Sequence, residues 1–259
     1  MKKSQIAAQL YTLRDYTQNA ADFRVICALL RDAGYTAVQV SGIGPIPWEE
    51  VRAICDEYGL RIVITHIGWD AIVNRPEEVA RQHSIYGTSH LGIGSMPGEY
   101  PRTLEGYTAF AQEMVRAAAV LREYGLQLSY HNHSFEFERF SEGLGAKRGI
   151  DVLFGSFMEG GVNFILDLYW LQAAGVSPVE WIHKVKGHMH VAHLKDMAVV
   201  DNHAVMAEIG EGNMNHVDIL RALDDTGVAY AAVEQDTCRR DPRESIVISY
   251  RNLLKLVEE

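Results

Sequence analysis

"LQLSYHNHSFEF", residues 126–137, begins as a buried strand and ends as something else. Leu126, Leu128 and Tyr130 alternate with Gln127 and Ser129, the period-two pattern of extended chain. His131, Asn132, His133 and Glu136 then crowd together, where a turn would call for Gly, Pro, Asn or Asp. A polar strand end with hydrogen-bonded or solvated histidines accounts for one such run. The same ending on several strands needs another explanation.

Working outward, short apolar runs alternate with longer amphipathic ones along the whole chain. "QIAAQL" (5–10), "TAVQVS" (36–41), "LRIVITH" (60–66), "TSHLGIG" (88–94), "LQLSYH" (126–131), "VNFILDL" (162–168), "GHMHVAHLKD" (187–196) and "AYAAVEQD" (229–236) read as strands. Between them lie helical segments. Phe23, Ile26, Leu29 and Leu30 recur at helical spacing before Gly34, Pro47 suits a first helical turn, and a long helix covers 103–125. A long loop follows the seventh strand, then a helix from about 216, and "PRESIVISYRNLLKLVEE" closes the chain as a helix. Near-continuous apolar strands separated by helices indicate a parallel sheet buried on both faces. Eight such units in 259 residues point to α/β architecture, one (β/α)8 TIM barrel spanning 1–259. A doubly wound open sheet competes, but "AAQLYTLRD" follows the first strand where a GxGxxG would stand.

The composition, 47% hydrophobic and 22% charged, is that of a globular protein with a sizeable core. Lys and Arg total 24 against 34 Asp and Glu, and the net charge of −10 opposes non-specific binding to nucleic acid or an anionic membrane. No apolar run approaches the ~18 residues of a membrane span. The opening "MKKSQIAAQLYTLRD" meets Gln5, Gln9 and Arg14 too early for a signal-peptide core. Cys27, Cys55 and Cys238 are odd in number and form no CxxC, which fits reduced structural thiols in a cytoplasmic protein.

Active sites of such barrels form at the C-terminal ends of the strands. Gln9 and Tyr11 end the first, His66 the third, His131, Asn132 and His133 the fifth with Glu136 nearby, Asp167 the sixth, His193 with Lys195 and Asp196 the seventh, and Glu234 with Gln235 and Asp236 the eighth. Uncompensated charges on neighbouring buried ends would cost several kcal/mol each. A bound cation is the economical neutraliser. Carboxylates with an imidazole suit Mn²⁺, Co²⁺, Zn²⁺ or Mg²⁺ better than Ca²⁺. Each residue also has a plainer reading. Asp167 is placed to cap a helix, His193 to be a satisfied core histidine, Glu234 to pair with Lys195, and Glu136 to be a solvated loop residue. Lys195 either orients a substrate oxyanion or pairs with a carboxylate. "IGEGN" (209–213) has two glycines but reads as a tight turn rather than a phosphate loop.

"YHNHSFEF", "LDLYW", "HLKD" and "VEQD", with "QLYTLRD" before them and "GEGNMN" ahead of the eighth unit, resemble the signatures of the xylose-isomerase-like TIM-barrel superfamily, in its sugar-phosphate isomerase/epimerase-like subgroup. The resemblance runs the length of the chain and implies a divalent metal held by Glu, Asp, His and Glu on successive strands. Asp167, His193 and Glu234 match the last three of these. Many relatives have Glu-Asn at the end of the fifth strand where this chain has His131-Asn132, so either His131 or Glu136 completes the set. Glu136 is favoured here, because a third carboxylate better balances a dication. Asn215 and His216 depart from the subgroup's Asp and aromatic after GEG.

The resemblance also implies a small carbohydrate substrate, contacted by Gln9, Tyr11, His66 and Trp170. The expected reaction is isomerisation or epimerisation through an enediolate. Glu234 or Glu136 would act as base, His133 or His131 as proton shuttle, and Lys195 would stand on the enolate oxygen. Dehydration of an inosose or keto-sugar is the runner-up. An endonuclease IV-like nuclease and a non-catalytic sugar-binding barrel stand further back, and the barrel is a plausible homo-oligomer.

Overall fold

The computed structural model describes residues 1–257. Its strands are β1 (Ile6–Gln9), β2 (Ala37–Val40), β3 (Arg61–His66), β4 (His90–Ile93), β5 (Gln127–His131), β6 (Asn163–Ile165), β7 (Val191–Leu194), a hairpin of β8 (Asp196–Val200) and β9 (His203–Ala207), and β10 (Tyr230–Val233). The helices are α1 (Ala20–Ala33), α2 (Trp48–Glu57), α3 (Trp69–Asn74), α4 (Pro76–Tyr86), α5 (Leu104–Glu123), α6 (Gly149–Gly160), α7 (Leu168–Ala173), α8 (Pro178–Lys184), α9 (His216–Thr226) and α10 (Pro242–Leu253).

Eight strands form one sheet in the order β6-β5-β4-β3-β2-β1-β10-β7, every ladder parallel. The sheet is a nearly closed barrel. Between β6 and β7 the ladder gives way to two bridging hydrogen bonds, from the Phe164 amide to the His188 carbonyl at 2.7 Å and from the His193 amide to the Leu166 carbonyl at 2.8 Å.

Side chains two apart on a strand share a face, and that rule builds the interior in layers. Ala7, Ala37, Ile165, Val191 and Ala232 belong to one buried apolar cluster in the lower barrel. Two residues further along the same segments stand Gln9, Gln39, Asp167, His193 and Glu234, all buried. Glycine lines β4 because the space is taken: a Cβ on Gly92 would lie 2.5 Å from Ile165 Cδ1, and one on Gly94 3.2 Å from the His66 ring. The opposite strand faces pack against the helices in the larger core, where Tyr130 of β5 meets Phe110 and Phe157.

Two expectations are corrected. The long loop after the seventh strand is instead the β8–β9 hairpin, whose turn holds Asp201 and Asn202 at φ 49° and 65°. The closing helix ends at Leu253, and the last two residues of the segment expected to be helical lie outside those described. No described helix is long and apolar enough to cross a membrane.

The hairpin and the "GEGN" loop hang on Asp196. Its buried carboxylate accepts backbone N–H groups from Met197 (2.7 Å), Gly210 (2.9 Å), Gly212 (3.1 Å) and Met214 (3.1 Å), with His216 Nε2 at 3.3 Å. Burial alone would push this carboxyl up. The imidazole and the amides hold it below its ordinary value instead. Asp196→Ala is therefore expected to cost ~3–5 kcal/mol, the scale of a buried charged group lost from its partners. That is a fall in Tm of about 6 °C or more in a chain of this size. A thermal melt within 2 °C of the parent would refute this role.

Candidate metal centre

The upper layer converges on one point. Asp167, two residues past β6, donates its own amide to the Asn132 side-chain oxygen at 3.0 Å, and its Oδ1 caps α7 by accepting from the Trp170 amide, 3.1 Å away. The helix-cap and site readings of this residue thus hold together, because the second oxygen faces the barrel axis. Asp167 Oδ2 lies 2.7 Å from Lys195 Nζ, 3.2 Å from His131 Nε2 and 3.9 Å from His193 Nδ1. Glu234 Oε2 lies 2.9 Å from both His193 Nδ1 and Lys195 Nζ, and its Oε1 accepts from Gln9 at 3.2 Å. One potential ligand atom each from His131, Asp167, His193 and Glu234 lies within 4.8 Å of all the others, and all four residues are buried.

The far nitrogen of each imidazole donates to a fixed acceptor. His131 Nδ1 lies 3.0 Å from the Gly94 carbonyl, which only accepts, so Nδ1 carries a hydrogen, while Nε2 lies 3.2 Å from Asp167 Oδ2. Burial would lower this imidazole, but the Asp167 and Glu234 carboxylates raise it above its ordinary value. His193 Nε2 lies 2.8 Å from the Gln39 side-chain oxygen, which leaves Nδ1 bare toward Glu234. Burial holds His193 below the usual imidazole value, so the ring is neutral near pH 7. His193 Nδ1 and Glu234 Oε2 accordingly stand 2.9 Å apart with no hydrogen bond between them. Two lone pairs aimed at a common point repel unless a cation shares them.

Lys195 does not serve the imidazoles. Its buried ammonium lies 2.7 Å from Asp167, 2.9 Å from Glu234 and 2.5 Å from Asp236, to which it donates a hydrogen bond. Burial alone would lower its pKa, but the three carboxylates raise it above the ordinary lysine value. The same ammonium keeps Glu234 well below the usual carboxylate range despite its burial. Three carboxylates against one ammonium leave two negative charges in excess. The residues present therefore fit a divalent ion, with His131, Asp167, His193 and Glu234 to hold it.

The expected placement of Glu136 is corrected. Tyr130 and His131 are consecutive in β5 and face opposite sides of the barrel wall. Glu136 follows Tyr130, taking its hydroxyl at 2.6 Å and the His133 amide at 2.9 Å. It sits fully buried on the helix side, where burial pushes its carboxyl up to about 7. His131 stands where Glu136 was expected. Lys195 likewise adopts the ion-paired alternative and does not line the cavity.

Above the cluster opens a cavity of about 410 Å³, within the ~300–1,000 Å³ of small-ligand clefts. Gln9, Tyr11, His66, His131, His133, Glu234 and Asp236 line it, together with Ser41 and Ser95. His133 is pushed down to about 3 by burial and by its neighbour His131, so it is neutral, with Nδ1 unpartnered. Trp170 stands behind the cavity wall, its ring 5.6 Å from that of His133 and 5.8 Å from Lys195 Nζ. Gln39 escaped the sequence reading. The signal was there, since "AVQV" sets a glutamine two residues past an inward alanine, as "AAQ" does for Gln9.

A parallel barrel with a buried ligand set at its mouth defines the class. The chain belongs to the xylose isomerase-like TIM-barrel family, whose model matches residues 27–255. A sugar phosphate isomerase/epimerase from Parabacteroides distasonis is similar in structure at a TM-score of 0.81 and 21% identity, over 96% of this chain and 97% of that one. A probable 3-DHS dehydratase from Bacillus anthracis gives 0.72 at 12% identity, over 98% of this chain and 99% of that one. An L-ribulose 3-epimerase gives 0.70 at 13%, over 98% of this chain and 94% of that one. At these identities the likeness is one of fold. No curated protein matches the chain in sequence.

Gln39 supplies the test of the ligand geometry. Gln39→Leu keeps the volume while releasing His193 Nε2, and is expected to weaken Mn²⁺ or Zn²⁺ binding about 10–100-fold with the fold intact. Calorimetric titration of the metal-free protein measures it. Unchanged affinity would show that His193 is not a ligand.

Proposed function

We propose that the protein is a divalent-metal-dependent isomerase or epimerase of a small sugar or ketose. The carrying observation is the convergence of one potential ligand atom from each of His131, Asp167, His193 and Glu234, all within 4.8 Å of one another, with His193 Nδ1 unpartnered among them. The names of two similar structures, a sugar phosphate isomerase/epimerase and an L-ribulose 3-epimerase, support the substrate class.

When bound, the ion would polarise the substrate carbonyl and its neighbouring hydroxyl, making the C–H beside the carbonyl acidic. Glu234 both reaches the ligand cluster and lines the cavity, and is the base for that proton. The C–H electrons become the carbon–carbon double bond of an enediolate as the carbonyl π pair moves to oxygen. His133, neutral and lining the cavity, handles the second proton, returned to the adjacent carbon or the opposite face. Lys195 acts as a positioning residue that keeps Asp167 and Glu234 ionised and directed inward.

One observation favours a lyase as second reading. With Glu136 withdrawn behind the wall, a carboxylate and an imidazole flank the cavity rather than two carboxylates. An imidazole that gives its proton to a departing β-hydroxyl would release water and leave an enone. A dehydratase stands among the similar structures.

Incubation of Mn²⁺-loaded protein with a ketose panel in D₂O tests the proposal. Deuterium in the recovered ketose or its isomer is expected, while a new ultraviolet-absorbing enone marks the lyase. Chelation should abolish exchange and Mn²⁺ restore it. Glu234→Gln should lower the rate about 10²–10⁴-fold. Exchange that survives chelation would dismiss the metal's part.

A further inference from the structure

We infer that the cavity takes an uncharged polyhydroxy carbonyl compound and excludes its phosphorylated counterpart, an inference that rests on the carbohydrate reading above. A barrel of this kind binds phosphate most readily in the loops after its last two strands, where backbone N–H groups converge on the anion. In this chain the amides of the first of those loops do not line the cavity and are turned elsewhere. The loop between β9 and α9 turns the amides of Gly210, Gly212 and Met214 onto the Asp196 carboxylate, which the Met197 amide also joins. The wrapping is close: a Cβ on Gly212 would lie 2.4 Å from Asp196 Oδ1. Four donors suited to a phosphate already hold a carboxylate of the chain itself.

The loop after β10 contributes the opposite of a phosphate site. It sets Asp236 in the cavity wall, beside Glu234. Among the described residues, neither Lys nor Arg lines the cavity. Lys195 is committed to three carboxylates. Arg14, beside the rim, donates to the carbonyls of Tyr11 at 2.8 Å and Asp236 at 3.1 Å and lies over the Tyr11 ring at 4.4 Å. A phosphate monoester brings a charge of about −1.5 to −2 at neutral pH. The mouth carries two excess negative charges by itself and none once a dication is bound, so in neither state does it offer net positive charge to a phosphate. Hydroxyl groups, in contrast, meet Ser41, Ser95, His66 and the Asp236 carboxylate.

Saturation-transfer NMR titrations of the Mg²⁺-loaded protein with matched pairs test this: L-ribulose and its 5-phosphate, D-xylulose and its 5-phosphate, D-fructose and its 6-phosphate. The expected result is binding of at least one free ketose, with its phosphate ester at least tenfold weaker. A phosphate ester that binds as well as or better than its free partner would overturn the inference while leaving the isomerase reading in place. Silence from every member of every pair would remove the carbohydrate reading, and the inference with it.

Discussion

Lys195 lies fully buried at the mouth of the barrel, and an ammonium is tolerable there only because three carboxylates surround it. The same contact works in reverse. Asp167 and Glu234 converge on one point while ionised because the ammonium lies against both. The carboxylates nevertheless outnumber the ammonium, and the surplus negative charge faces the unpartnered Nδ1 of His193. A dication would satisfy the charge and the lone pair at once.

Strand parity delivers this arrangement. Within "HLKD", His193 faces the axis, and Lys195, two residues on, reaches the same site from beyond the strand end. Asp196 is of the other parity and faces away from the mouth, where it gathers the hairpin and the loop before α9. Two adjacent buried charges of opposite sign thus never meet as a pair. One organises the site, and the other holds the structure behind it.

Parity also explains what could be read before the structure and what could not. Asp167, His193 and Glu234 were legible because each ends an apolar run whose period-two register carries straight into the site. Glu136 misled because the register stops at His131: the short turn at Phe135–Phe137 resets the direction, and charge balance alone favoured a third carboxylate. Gln39 lay in the open, two residues from an inward alanine, but a single amide in a strand attracts no attention without a partner. The β8–β9 hairpin was missed because Asp201-Asn202 lacks the glycine that most often marks a turn with positive φ.

An imidazole rather than a carboxylate at position 131 changes the charge of the site by one. A glutamate there would leave the mouth negative even with a dication bound, given Lys195 and the three carboxylates it contacts. With the imidazole, the ligand set, Lys195, Asp236 and a dication sum to zero. A neutral centre withdraws electrons from a carbonyl more strongly than a negative one, because less ligand charge offsets the ion. Such a centre is suited to a substrate that brings no charge of its own, whose only developing charge is the one formed on oxygen as the proton leaves carbon. The imidazole at position 131 and the carboxylate that fills the loop before α9 are separate features of the chain, and both favour a substrate without a phosphate.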